Sequence, residues 1–328
     1  MSNKKTLGNA GLKKNKLQSQ LLIIAIIVIV CLICHFITGG RLLTLTNLKT
    51  ISIQMTYPLI VGLGMMFIFT GGMVDLSIGA QVILAANVGA ICVEDFGLGY
   101  PGLIIGTLVT IVICEFLSAS CSQFLGIPAW VAGLGAALIF EAICNIYVNN
   151  RAATAGSSVV YLKNCRALGS FPVIVIIAVV VLIVAYILFN RSQLGLNLRA
   201  VGSGGEVASA MGINRKKTIM IAAMVGAVII GIGAITQLSY TGRFTPMSGL
   251  GSLSGIFKSL ATILIAGSFA RIFSDPIGCV IGAFIVTALF NVLTLLGVPS
   301  GTGQEMCLGA VVVLCGILSS FKNKGVVK

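Results

Sequence analysis

Residues 69–81 read FTGGMVDLSIGAQ, and they interrupt a long apolar stretch with paired glycines, a carboxylate and a serine. A charged side chain near the centre of a bilayer costs about 2.5–3.5 kcal/mol even on the lenient insertion scale. A simple spanning helix gains nothing from such an insertion, so this stretch marks a helix break with polar groups that satisfy the freed backbone. Gly71 and Gly72 let the backbone leave helical geometry at little steric cost, while Asp75 and Ser77 supply acceptors for the exposed N–H groups of a following helix. Two roles stand open for Asp75: a cap that holds a half-helix, or a group that touches a transported molecule.

The rest of the chain places this break in a membrane. Of 328 residues, 57% are hydrophobic and only 9% charged, and mean hydropathy is +1.09, outside the range of a soluble domain. Forty glycines, seven prolines and one tryptophan suit closely packed helices better than alternating barrel strands. The expected fold is an all-α, polytopic membrane protein, with the lipid bilayer as its solvent. Apolar runs bounded by Gly, Pro, Asn or charge give ten candidate spans at 21–38, 51–69, 73–93, 99–118, 126–148, 171–189, 218–238, 254–272, 276–297 and 304–321. The first reads as a retained signal-anchor helix.

The net charge of +13 points to orientation and not to nucleic acid, because Lys and Arg lie mostly between the apolar runs. With both termini in the cytoplasm, fourteen of the twenty-one basic residues fall inside, among them Lys4, Lys5, Arg191, Arg199, Arg215, Lys216, Lys217, Arg271, Lys324 and Lys328. The outer set includes Arg41, Lys49, Arg151, Lys163, Arg166, Arg243 and Lys258, in agreement with the positive-inside rule. The chain then divides into a basic tail over 1–20, a transmembrane domain over 21–321 with a cytoplasmic loop at 190–217, and a tail at 322–328. A polar outer segment runs from Val148 to Ser170.

Within the inner loop, Glu206 to Met211 has a short helical pattern, preceded by Gly202, Gly204 and Gly205 and stopped by Gly212. A helix this short is marginal in water, so it is expected to dock on something. The two halves of the chain also echo each other weakly: Asp75-Leu-Ser-Ile-Gly79 after Gly71 and Gly72, and Asp275-Pro-Ile-Gly278 after Gly267 and Ser268. Carriers built from related halves place broken helices at corresponding positions.

Gln81, Asn87, Asn145, Gln237 and Asn291 lie within apolar spans where an amide needs a partner, and they are candidates for interhelical contacts or a polar route. Glu115 and Glu141 have no cation one turn away, which is the feature an ion-coupled carrier would need. No Walker sequence is present, so ATP-driven transport would need another chain to hydrolyse ATP. Ten scattered cysteines and a lone His35 suggest no disulfide framework, metal or cofactor. No nucleophile, base and oxyanion donor stand together, which argues against an enzyme.

TGGMVDLSIGA at 70–80, LGLNLRAVGSGGEVASAMGI at 194–213 and LFNVLTLLGVPS at 289–300 resemble signatures of the ribose-type sugar permeases, membrane subunits of bacterial ABC importers for monosaccharides. The resemblance implies an inner-membrane permease that pairs with a second permease chain, receives sugar from an extracytoplasmic binding protein, and engages an ABC ATPase subunit through the segment with Glu206, Ala208, Met211 and Gly212. Runner-up cargoes are amino acids, nucleosides or a furanosyl signal. The sequence departs from the family at Glu141-Ala142, where an Arg-Gly is usual, at Ile256-Phe257, where a Glu-Leu is usual, and in IAGSFARIFSDPIG at 265–278. These departures favour a heterodimer with a more typical paralogue.

Overall fold

A computed structural model describes residues 2–155, 159–270, 272–299 and 301–323. Arg271, Lys324 and Lys328, assigned above to the inner side, lie outside the described residues. Twelve helices and no strands are present among the described residues: α1 (Ser2–Ile37), α2 (Leu45–Thr70), α3 (Ile78–Glu94), α4 (Gly99–Leu125), α5 (Ala129–Ala155), α6 (Val173–Arg191), α7 (Gln193–Ser203), α8 (Gly205–Ala210), α9 (Arg215–Thr241), α10 (Phe257–Ser268), α11 (Asp275–Leu295) and α12 (Thr302–Asn323). A 3-10 turn at Gly251–Ile256 leads directly into α10.

Each of the ten expected spans falls on a helix, and eight are long and apolar enough to cross a membrane. The other two are α3 and the Gly303–Leu314 part of α12. At about 1.5 Å per residue, α3 measures roughly 26 Å, short of the ~30 Å hydrocarbon layer. It starts later than expected because Met73–Asp75 leave helical geometry after Gly72, whose φ is +80°.

The bundle is organised about α2 and α9. These helices cross with their backbones in contact: a Cβ on Gly64 would lie 2.5 Å from Ile230 Cγ1 and 2.7 Å from the Gly226 carbonyl, and one on Gly226 would meet the Gly64 carbonyl at 2.7 Å. Around this crossing the chain repeats itself. Helix α3 packs on α4, α5 and α9, and α10 packs on α11, α12 and α2; α4 lies against α9 as α11 lies against α2. Helix α1 stands apart, with no buried residue in its Leu17–Ile37 portion and with Gln20 Nε2 donating to the Ile272 carbonyl at 2.7 Å. Its apolar side chains and those of α6, such as Val180, Ile183 and Ile187, are exposed, as lipid contact requires.

This packing corrects the aspartate echo. Asp75 precedes the short α3, whereas Asp275 begins α11, the counterpart of α4, and Gly267 and Ser268 close the short α10 instead of a central helix. By position in the repeat, the counterpart of the Asp75–Gly79 stretch is the turn that leads into α10 at Gly249–Gly255. These counterpart stretches meet: a Cβ on Gly79 would lie 2.3 Å from the Ser252 carbonyl.

Gly64→Ala tests the central crossing. The added methyl must push α2 away from α9, and overpacking of this kind costs about 1–3 kcal/mol. A lower thermal midpoint of the detergent-solubilised chain is expected; an unchanged midpoint would mean that the helices do not approach this closely.

Candidate functional site: a cavity at one end and two surface helices at the other

After α9 ends at Gly242, whose φ is +79°, the chain turns back into the bundle. Three polar side chains from the first half hold this re-entrant segment. Asn87 Nδ2 donates to the Phe244 carbonyl at 3.3 Å, and Asn145 Nδ2 donates to the Met247 carbonyl. Glu141 accepts from Leu250 N–H through Oε2 and from Ser252 N–H through Oε1, both at 2.9 Å. Leu250 has φ +66°, a left-handed conformation that costs a non-glycine residue about 1–2 kcal/mol. The paired acceptors of Glu141 offset that cost, and they anchor the segment that carries Ile256 and Phe257. Glu141 thus anchors the turn that leads to Ile256-Phe257.

The segment borders an open cavity of about 630 Å³, within the range typical of small-molecule sites. Tyr57 from α2, Phe244 and Phe290 from α11 give it aromatic faces; Gln237 from α9, Lys258 from α10, and Gln304 and Glu305 from α12 give it polar groups. Aromatic faces beside amides and charges form a chemistry suited to a small polar ligand. A separate cavity between α1 and α11 is lined only by apolar residues such as Ile27, Val30 and Leu289, and nothing in it can orient a polar molecule.

Gln237 lies one turn from the C-terminal end of α9, while α8 lies beside the N-terminal end, where Gly205 approaches the Arg215 side chain. At ~1.5 Å per residue the cavity and α8 are therefore separated by roughly 30 Å. Helix α8 is bracketed as the sequence suggested, ending in Met211 and in Gly212 with φ +84°. Ala208 is buried, while Glu206, Val207, Met211 and Gly212 are exposed. Helix α7 went unrecognised in the sequence, where its glycines and mixed polarity read as loop. It seats on the end of α2, since a Cβ on Gly202 would fall 2.0 Å from the Thr70 carbonyl and one on Gly71 would lie 3.1 Å from Leu198 Cδ1. Two of the sequence signatures, around 70–80 and 194–213, therefore touch.

The glycine pair is not a mid-depth interruption of one helix, as the sequence suggested. Gly71 is the C-cap of the full-length α2, and the chain then folds inward to Asp75. The Asp75 Oδ1 accepts from Ser77 N–H at 2.6 Å and Oδ2 accepts from the Ser118 hydroxyl at 2.6 Å. Gln81 Nε2 donates to Ser77 Oγ and to Glu115 Oε2, each at 2.8 Å. All five residues are buried, and none lines the cavity.

The polar residues singled out in the sequence therefore separate into four groups. Gln237 lines the cavity. Asn87 and Asn145 clamp the re-entrant segment, and Asp75, Ser77 and Gln81 tie α3 to α4. Asn291 exchanges two amide hydrogen bonds with Asn47, at 2.8 and 2.9 Å, and so joins α11 to α2. Near the same end as the cavity, Arg151 donates to both oxygens of Asp95 at 2.8 and 3.1 Å, and these bonds hold the Asp95 carboxyl below the usual carboxylate range. The described cysteines are all free.

A polytopic helical bundle, with a cavity open at one end and two small helices packed at the other, defines a membrane transport subunit. The chain belongs to the family described as branched-chain amino acid transport system / permease component, which matches residues 47–316. It is similar to the ribose import permease protein RbsC of Escherichia coli K12, with 25% identity over 340 residues, 99% of this chain and all of that protein. It is also similar to the D-allose transport system permease protein AlsC of the same organism, with 24% identity and 91% of each chain covered. The galactose/methyl galactoside import permease protein MglC of Treponema pallidum is 26% identical over 91% of this chain, which spans 61% of that longer protein. No solved structure matches. The resemblance to ribose-type permeases is borne out, and the chain is a non-catalytic transport component.

Proposed function

We propose that this chain is the membrane permease subunit of an ATP-driven importer for a small sugar, and that it forms the translocation route while a separate ABC subunit hydrolyses ATP. The observation that carries this reading is the placement of a stacking-and-amide cavity at one end of α9 and of an exposed, glycine-bracketed helix at the other. An engine at α8 can rock α2 and α9, which both border the cavity, without contributing chemistry of its own. Glu206, Ala208, Met211 and Gly212 belong to the ATPase contact in this scheme. The cavity end receives sugar from an extracytoplasmic binding protein.

Arg191, Arg199, Arg215, Lys216 and Lys217 surround the α7–α8 end, which supports a cytoplasmic location for it, for the 1–20 and 322–328 tails, and for the 190–217 loop, in a bacterial inner membrane. A second permease chain completes the unit, and the altered pair of sites at Glu141-Ala142 and Ile256-Phe257 favours a different paralogue in that place. A purified complex with this chain as its only permease would refute the heterodimer.

An ion-coupled carrier is the competing reading, supported by Asp75 and Glu115, which are buried with no cation in their network. The two separate cleanly in cells. Uptake that vanishes when the partner ATPase is deleted but survives an uncoupler supports the importer; the reverse pattern overturns it.

A further inference from the structure

The lysine in the cavity is not explained by packing. Lys258 lies in the first turn of α10, directly after the 3-10 turn at Gly251–Ile256. Its side chain is exposed toward the cavity, and among the described residues no carboxylate lies within ion-pair distance of it. Its ammonium sits 4.0 Å from the centroid of the Phe290 ring, a cation–π contact that supports one side of the group and leaves its other donors free. Glu305 shares the cavity but has a local reason to be there, since it lies in the first turn of α12, where the dipole favours a carboxylate. Among the described residues no carboxylate is paired with Lys258, so its ammonium is available to an anionic group that enters the cavity.

We propose that Lys258 selects a cargo bearing a carboxylate, so that the transported solute is a sugar acid and not a neutral monosaccharide; this rests on the sugar-importer reading above. A single ammonium on an aromatic face matches one negative charge. A phosphate dianion would need a second cation or a guanidinium fork, and among the described residues no second Lys or Arg lines the cavity. Tyr57 and Phe244 remain for the sugar face, and Gln237 and Gln304 for its hydroxyls.

The test uses cells that express the chain with its ATPase and binding protein, supplied with labelled D-gluconate and D-galacturonate as acids, D-galactose and D-ribose as neutral sugars, and D-glucose 6-phosphate. Wild type should take up an acid in preference to the neutral sugars. Lys258→Gln should lower the acid-to-neutral uptake ratio by roughly tenfold, the factor that corresponds to about 1.4 kcal/mol, and Lys258→Arg should restore most of it. The amount of chain in the membrane is measured for each variant, so that loss of folding is separated from loss of selectivity. Neutral sugars carried in preference to acids, preference for the phosphate ester, or an unchanged ratio in Lys258→Gln would each overturn the assignment. Uptake of none of these probes would overturn it together with the sugar-importer reading, whereas uptake of neutral sugars alone would leave that reading standing.

Discussion

Asp75→Ala should yield a chain that fails to hold α3 against α4: less of it inserted in the membrane, and a thermal midpoint in detergent well below that of wild type. The carboxylate accepts from the Ser77 N–H and from the Ser118 hydroxyl. A buried donor left without its acceptor costs about 1–3 kcal/mol, so deletion of both acceptors removes about 2 kcal/mol or more. The site cannot collapse around the loss, because α5 presses on it from the other side: a Cβ on Gly133 would lie 2.7 Å from Asp75 Oδ1 and from Leu76 N. Asp75→Asn keeps an acceptor for the Ser77 N–H and should lose less. Ser118→Ala should lose about half, and the double variant should fall short of the sum, since both changes break the same bond. The experiment decides between the two roles the sequence left open for Asp75. The residue is 1% exposed and does not border the cavity, which favours the capping role; a well-folded Asp75→Ala chain with altered cargo preference would overturn it.

The same residues show what a sequence of this kind reveals and what it hides. The spans were legible because burial in lipid demands apolar runs of a set length, and turns between them demand Gly, Pro, Asn or charge. The break after Thr70 was legible for the same reason. Its depth was not, because depth is set by Ser118, a partner 43 positions away, and by the seat of α7 on the Thr70 carbonyl. Asn87, Asn145 and Asn291 were recognisable as amides in need of partners, but their long-range partners are loop carbonyls and a distant amide, which leave no local pattern. The cavity was the least visible feature. Tyr57 and Phe290 occur in apolar runs much like those of Phe116 and Phe124, which are exposed on α4, and only the packing of α2, α10, α11 and α12 distinguishes a ring that faces a cavity from one that faces lipid. Lys258 offered the one local signal, a cation near the start of the 254–272 run, and orientation counting absorbed it as an outer-edge charge.

Glu206→Arg should leave the chain folded and abolish productive coupling, with uptake reduced by at least tenfold while the complex continues to hydrolyse ATP. The residue is exposed on a six-residue helix whose inner face is closed by Ala208, 2% exposed, so the substitution disturbs no packing. Val207 and Met211 beside it are 66% and 75% exposed, an apolar pair that suits a protein contact. Placing a guanidinium where a partner meets a carboxylate leaves both charges unpaired, and truncating or reversing a buried interfacial charge costs about 2–5 kcal/mol, more than the ~1.4 kcal/mol that corresponds to tenfold. The mechanical path is short. Helix α8 adjoins the start of α9 through Gly205 and Arg215, and α7 abuts the end of α2 through Gly202 and Thr70; α2 and α9 cross at Gly64 and Gly226 and end at a cavity bordered by Tyr57 and Gln237. The backbone contacts at the α7–α2 and α2–α9 joints transmit displacement because a glycine there has no side chain that can yield. Gly202→Ala should therefore mimic the uncoupling by opening the α7–α2 joint, even though it touches neither partner nor cargo. Both variants are to be reconstituted in proteoliposomes with the ATPase, with hydrolysis and uptake measured on the same sample. Undiminished uptake by Glu206→Arg would remove α8 from the drive, and undiminished uptake by Gly202→Ala would show that motion reaches the cavity by α9 alone.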